Sequence, residues 1–279
     1  MIYENQRFTG ERAKFAEKKS VFNNCIFDDG ESPLKESSEI ELNGTNFQWK
    51  YPLWYCSNVV ADNCSFLEMA RAGIWYTNDI LMKNTLVEAP KIFRKCRHVV
   101  LEKVQLMNAS ETLWQCSAVM MNDVVAKGDY FAMNSSNIVA NNFSLAGNYG
   151  FDSCSNIEIN NSKLLSKDAF WNCENVIVRD SYICGEYLGW NSKNLYFENC
   201  VIESLQGLCY IDGLVLKNCK LLNTNLCFEY CANIQAEIDG DIVSVKNPIS
   251  GMIVADKIGE IILESDKINP NQTLITQRK

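Results

Sequence analysis

Histidine is almost absent: His98 is the single one in 279 residues. It falls at a turn position that Asn58 and Asn137 fill elsewhere in the chain, so it reads as a turn residue. Histidine-based triads and histidine-rich metal sites are thereby excluded. Long apolar runs are also missing. Nothing approaches 18 consecutive apolar residues, which excludes a membrane-spanning helix. The amino-terminal MIYENQRFTGERAKFAEKK is polar throughout and lacks the apolar core of a signal peptide, so a cytoplasmic location is expected. Positive charge is scarce. With a net charge of −8 and one basic cluster (Lys91, Arg94, Lys95, Arg97), neither nucleic acid nor an anionic membrane is an expected partner. Cysteine, by contrast, is abundant at thirteen. The number is odd and the positions keep the phase of a repeat, so reduced, small core residues are expected rather than a disulfide framework. Pairs such as Cys96/Cys116, Cys154/Cys173 and Cys200/Cys219 are read in the same way.

What the chain has in quantity is repetition. Residues 136–154 read SNIVANNFSLAGNYGFDSC, 155–173 SNIEINNSKLLSKDAFWNC and 174–192 ENVIVRDSYICGEYLGWNS. Each has a polar turn, an apolar alternation, an Asn or Asp, a second alternation and a closing Cys or Ser. The closing residue recurs from Ser37 through Cys56, Cys96, Cys154 and Cys173 to Cys231 at a spacing of about 18–21, too short for a helical repeat. Two uncharged columns lie two residues apart: Val59, Ile80, Val99, Val176 and Leu195, then Ala61, Met82, Leu101, Val178 and Phe197. Period two with one buried face means strand. The Asn or Asp that follows (Asn63, Asn84, Asp123, Asn161, Asp180) suits a sharp left-handed bend. A third strand is expected to bury Leu53, Ile74, Phe93, Leu113, Phe170 and Phe228. The fold class is therefore all-β: a single-stranded right-handed parallel β-helix of about twelve coils, each of three short strands. Residues 1–279 are expected to form one domain, with caps at 1–14 and 249–279 around coils at 15–248.

The motifs NLYFENCVI (194–202) and NVVADNCSF (58–66) resemble those of the pectin-lyase-like right-handed β-helices. With the DDGESPLKES stretch (28–37), the chain looks closer still to an uncharacterised bacterial domain-of-unknown-function family of that fold. The resemblance implies the fold over nearly the whole chain and implies no established activity. Enzymes of the superfamily use clustered Asp, or Asp-held calcium with a basic residue as proton acceptor, and the sequence departs from both patterns.

The candidate site is the outward column two residues before each closing residue. It holds Trp54, Trp75, Arg94, Trp114, Asp152, Trp171, Trp190, Cys209 and Glu229, and its neighbour holds Tyr55, Tyr76, Lys95, Asn172 and Asn191. Aromatic rings interleaved with amides suit sugars, whose apolar faces stack while their hydroxyls are hydrogen-bonded. An oligosaccharide is thus the expected ligand. The alternatives are a face covered by a loop or a partner, or a parity in error by one that would place the tryptophans in the core. Hydrolysis of a glycoside needs two carboxyls about 5–9.5 Å apart. Asp152 has no column partner, which leaves Asp168 as its mate; Arg94 or Lys95 is the candidate base for elimination chemistry. The acidic turn Asp28, Asp29 and Glu31 lacks a full calcium ligand set and reads as solvated acids. No metal site and no cofactor are expected. An apolar outward row on the first strand (Val60, Leu81, Val100, Met120, Val139, Ile177) is expected to be covered by a terminal segment or to form a homo-oligomer contact. The competing function is a non-catalytic scaffold that binds a protein or self-associates.

Overall fold

The structure, a computed structural model, describes residues 1–278. It divides into two compact units, Met1–Ser144 and Leu145–Lys279, and each is a parallel β-helix. In the first, Ile2–Glu4, Lys18–Asn23, Ser38–Asn43, Ser57–Asp62, Asn78–Lys83, Arg97–Glu102, Ser117–Asn122 and Ser136–Asn141 stack as one parallel sheet. In the second, Ser155–Asn160, Glu174–Arg179, Lys193–Glu198, Asp212–Leu222, Ile234–Ile238, Gly251–Ala255 and Thr273–Gln277 do the same. Among the described residues there are thus eight coils and seven, not twelve in all. The extra coils lie in the segments expected to be caps. Residues 1–14 carry two strands that pair onward in parallel, Ile2–Glu4 and Arg7–Phe8. Gly251–Ala255 and Thr273–Gln277 likewise continue the ladder. Their irregular spacing hides the period, yet Tyr3, Ile253 and Ala255 are buried and parallel pairing satisfies their backbone groups as it does elsewhere.

The expected columns are the core. Val59, Ile80, Val99, Val119 and Ile138 lie in register across successive coils and are at most 2% exposed. The second-sheet column stacks ring on ring: Phe27 on Phe47 at 5.0 Å and 4°, Phe47 on Phe66 at 4.8 Å and 18°. Full burial of each such side chain contributes about 1.5–3 kcal/mol. The Asn and Asp bends hold positive φ as expected, including Asn63 (53°), Asn84 (46°), Asp123 (54°) and Asp180 (50°). Their side chains tie coil to coil, as where Asn84 Nδ2 donates to Asp62 Oδ1 at 2.8 Å.

The closing Cys, Ser and Thr share one position. They point inward, and several donate to a carbonyl of the preceding coil: Thr77 Oγ1 to Leu53 O (2.6 Å), Cys96 Sγ to Ile74 O (3.1 Å), Cys173 Sγ to Phe151 O (2.8 Å) and Ser192 Oγ to Phe170 O (2.5 Å). A thiol and a hydroxyl are both small and both donate, which is why the three residue types interchange at this phase. All thirteen cysteines are free, and all but Cys184 are buried.

The third strand differs from expectation. Among the described residues, only Ile74–Trp75 and Phe93–Arg94 pair as two-residue strands there. In most other coils the segment is a corner, in which the inward residue itself takes a left-handed conformation: Leu113 (57°), Phe151 (66°), Phe170 (61°) and Phe228 (69°). That conformation costs a non-glycine residue about 1–2 kcal/mol. Phe170 is fully buried, and its burial offsets the cost. The burial order is inward Phe170, outward Trp171 and Asn172, inward Cys173. Trp171 and Trp190 ride on such stacked corners, whereas Trp75 and Arg94 belong to the two short strands.

Candidate functional site

The column parity is as expected: Trp54, Trp75, Trp114, Trp171 and Trp190 are half-buried on the outside of the coils, not in the core. Two column members are exceptions. Cys209 is fully buried, and Glu229 is 5% exposed because Gln206 Nε2 (2.7 Å) and Lys246 Nζ (2.8 Å) close over its carboxylate.

In Met1–Ser144 the aromatic column is stacked on itself. Trp54 and Trp75 lie 5.2 Å apart at 7°, and beside them Tyr55 and Tyr76 lie 4.8 Å apart at 6°. The Arg94 guanidinium continues the stack, 4.5 Å from the Trp75 ring centre and 4.9 Å from that of Trp114, with Nη2 3.0 Å from Glu111 Oε2. The indole N–H groups are engaged as well: Trp54 Nε1 donates to Ala72 O (2.5 Å) and Trp75 Nε1 to Lys91 O (2.8 Å). Ring faces that stack on neighbours offer no platform to a sugar. A cleft of about 250 Å³ opens along the Trp54 and Trp75 edges beside Tyr51, Arg71, Pro90 and Lys91, and no carboxylate lines it. Arg94, the candidate base, is clamped as a charged rung of this ladder, and Lys95 stands exposed 5.7 Å from the Tyr76 ring. The acidic turn is ion-paired: Asp28 with Arg7, and Glu31 with Lys50 at 3.0 Å. The first-strand row stays on the surface, Val60 and Met120 being 37% and 45% exposed, so no terminal segment covers it there.

In Leu145–Lys279 the rings are splayed. Tyr149 meets Trp171 edge-on (5.9 Å, 88°), Trp171 and Trp190 are tilted (5.9 Å, 37°), and Tyr187 meets Trp190 edge-on (6.2 Å, 75°). Trp190 rests its other side on Tyr210 at 4.3 Å. The opening is a shallow cleft of about 490 Å³ lined by Tyr149, Lys167, Asp168, Trp171, Tyr187, Trp190 and Gln206. Asp168 is its one carboxylate and is 2% exposed. Burial raises its pKa, Tyr149 hydrogen-bonds the side chain, the Lys167 charge pulls the pKa down and that of Glu186 pushes it up. Its Oδ1 is buried with no hydrogen-bond partner. Lys167 is held away by Glu186, Nζ to Oε2 being 3.0 Å.

The expected pair of carboxylates does not share this cleft. Asp152 lies outside its lining. It accepts from Ser153 Oγ (2.8 Å) and Asn172 Nδ2 (3.1 Å), and Asn191 Nδ2 extends that ladder by donating to Asn172 Oδ1 (2.9 Å). The candidate sugar-binding amides are thus coil-to-coil ties. Trp171, Trp190 and Asp168 are the sequence-derived candidates that the cleft brings together. Tyr149, Tyr187 and Gln206 were not foreseen. A signal was present: with Asp168 they form a column at intervals of 19 residues, and all four have positive φ (46–57°). Among the described residues no group of three or more His, Cys, Asp or Glu is placed to hold a metal ion. Among the described residues no helix is long and apolar enough to cross a membrane.

Stacked parallel coils define a β-solenoid, with an aromatic, carboxylate-bearing cleft on one corner. The particular family is also clear: the chain belongs to the one described as Protein of unknown function (DUF3737), whose model matches residues 1–276. No curated protein sequence matches it. Among solved structures it is similar to the Azotobacter vinelandii mannuronan C-5 epimerase AlgE4 A-module, at 8% identity and a TM-score of 0.33, over 98% of this chain and 87% of that one. It is also similar to HetL, a pentapeptide repeat protein involved in heterocyst differentiation regulation from Nostoc sp. strain PCC 7120. That match has 11% identity and a TM-score of 0.26, over 80% of this chain and 92% of that one. At those scores neither neighbour bears on activity.

Proposed function

We propose that the protein binds a saccharide in the cleft around Asp168, and that the self-stacked tryptophans of Met1–Ser144 are structural. The observation that carries this reading is the buried Asp168 Oδ1, left without a donor among aromatic rings that are splayed rather than stacked. A sugar supplies both what the oxygen lacks, a hydroxyl donor, and what the indoles lack, an apolar face. Gln206 and Lys167 line the same opening, with Gln206 Nε2 donating to Glu229 and Lys167 Nζ paired with Glu186. With one carboxylate in the lining, the site supports binding, and two-carboxyl glycoside hydrolysis is not part of the proposal.

The test is tryptophan fluorescence during titration with a panel of oligosaccharides. A saturable change that Trp190→Ala removes and Trp54→Ala leaves intact is the expected result. A response that survives Trp190→Ala but vanishes in Trp54→Ala would move the site to the other column, and silence across a broad glycan array would end the saccharide reading.

A further inference from the structure

The same sequence device occurs twice, once completed by the protein and once not. Glu111 stands three residues before Trp114, and Asp168 three before Trp171. Both occupy left-handed turn positions, at φ 52° and 55°. At the first copy the preceding coil supplies a cation, since the Arg94 guanidinium lies against Trp114 and Trp75 and pairs with Glu111 at 3.0 Å. At the second, the residue that stands to Trp171 as Arg94 stands to Trp114 is Asp152, which brings no positive charge. Asp168 Oδ1 is left buried and unpartnered beside rings set at 75–88° to one another.

From this comparison we infer that the cleft binds a small organic cation, an alkylammonium or guanidinium group, with Asp168 as counter-ion and Trp171, Trp190, Tyr149 and Tyr187 as its aromatic walls. The inference rests on this cleft being the ligand site proposed above, and not on the ligand being a sugar; an amino sugar meets both readings. The chemistry favours a cation over a neutral group. Aromatic faces carry negative potential and attract cations within about 6 Å of the ring centre. A buried carboxylate gains more from a donor that also neutralises its charge than from a neutral hydroxyl. The net charge of −8 adds a general attraction. The protein's own nearby ammonium, on Lys167, is engaged by Glu186 and lies 5.8 Å from the Tyr187 ring, at the rim of the cleft.

The experiment titrates the full chain, at constant ionic strength, with tetramethylammonium, methylguanidinium, a lysine-rich peptide, and chito-oligosaccharides in amine and N-acetylated forms. Cationic probes are expected to bind at least about tenfold more tightly than neutral counterparts of equal size. Asp168→Asn, which keeps the shape and tolerates the left-handed turn, is expected to lose that preference while its thermal unfolding remains cooperative. Trp190→Leu provides a second variant with the same expected loss, and Lys167→Met is expected to bind cations at least as well as wild type. Preference for the amine sugar over the peptide, or the reverse, identifies the source of the cation. Equal binding of amine and N-acetylated sugars, unchanged in Asp168→Asn, overturns the inference and leaves the saccharide reading standing. Binding of simple cations with no sugar bound supports the inference and removes the saccharide reading. Loss of cation binding in Lys167→Met, or no response to any probe, overturns it.

Discussion

Replacing Arg94 with Ala tests the view that the tryptophan column of Met1–Ser144 is structural. The guanidinium sits 4.5 and 4.9 Å from two indole centres, and each contact contributes about 0.5–1 kcal/mol at a partly exposed site. Its ion pair with Glu111 joins side chains 23% and 30% exposed, which sets that contribution at about 0.5–1 kcal/mol. The aliphatic stem adds packing along the indole. Against these stands the buried Arg94 Nε, which has no acceptor and costs about 1 kcal/mol. The net loss expected for Arg94→Ala is therefore about 1–2 kcal/mol, resolvable by urea denaturation followed through tryptophan emission. Arg94→Met keeps the stem and should lose less. Glu111→Gln removes two ion pairs, with Arg94 and with Lys91, whose Nζ lies 3.0 Å from the same carboxylate, and should cost about 0.5–1.5 kcal/mol. An Arg94→Ala variant with the wild-type urea midpoint would refute the idea that the cation cements the column. A midpoint unchanged in Arg94→Met but lowered in Arg94→Ala would assign the effect to packing alone.

Three further outcomes are expected. Ser192→Ala leaves both the Phe170 carbonyl and the Cys173 N–H, now bonded to its hydroxyl at 2.5 and 2.9 Å, without partners in the core. It should cost about 2–3 kcal/mol by chemical denaturation, whereas Ser192→Cys, which mimics the neighbouring coils, should cost clearly less; equal losses would sink the interchange argument. Burial raises the pKa of Asp168 above its ordinary 3.8, so ionising it costs more in the folded chain than in the unfolded one. Its contribution to stability is present below that ordinary value and is lost as pH rises through the raised one. With Lys167 and Glu186 as the facing charges and Tyr149 as donor, Asp168→Asn should be more stable than wild type at neutral pH by about 1 kcal/mol, and the gap should close near pH 3; a gap that widens on acidification contradicts the assignment. Finally, if the uncovered row through Val60 and Met120 is a self-association surface, Met120→Lys will lower the molar mass measured by light scattering, and a wild-type monomer at high concentration removes that surface from consideration.

Much of the fold was legible because a stacked coil repeats its demands. Each inward column must be apolar and uncharged, each bend must accept a left-handed backbone, and several closing positions donate to the coil before them. Val59, Asn63 and Cys56 could therefore be assigned from neighbours about 20 residues away. The third strand was misread for an equally physical reason. Alternation of inward and outward residues does not distinguish a strand from a corner, and neither does the consecutive outward pair Trp171 and Asn172, since the strand Asn78–Lys83 opens with such a pair too. The end coils are hard to read because their spacing and turn residues depart from the repeat, although Tyr3, Ile253 and Ala255 are buried like the inward residues elsewhere.

The sequence by itself determined that the chain coils, which residues face inward and that the tryptophans share one outward column; period and polarity are enough for that. Only the tertiary structure decided what the column does. Whether two rings stack, as Trp54 and Trp75 do, or splay, as Tyr149 and Trp171 do, depends on the corner geometry and on what lies between them. Whether a carboxylate is paired, as Glu111 is, or left with a bare buried oxygen, as Asp168 is, depends on the side chain one coil away. Those are contacts between residues 17 to 22 positions apart, and no local pattern encodes them.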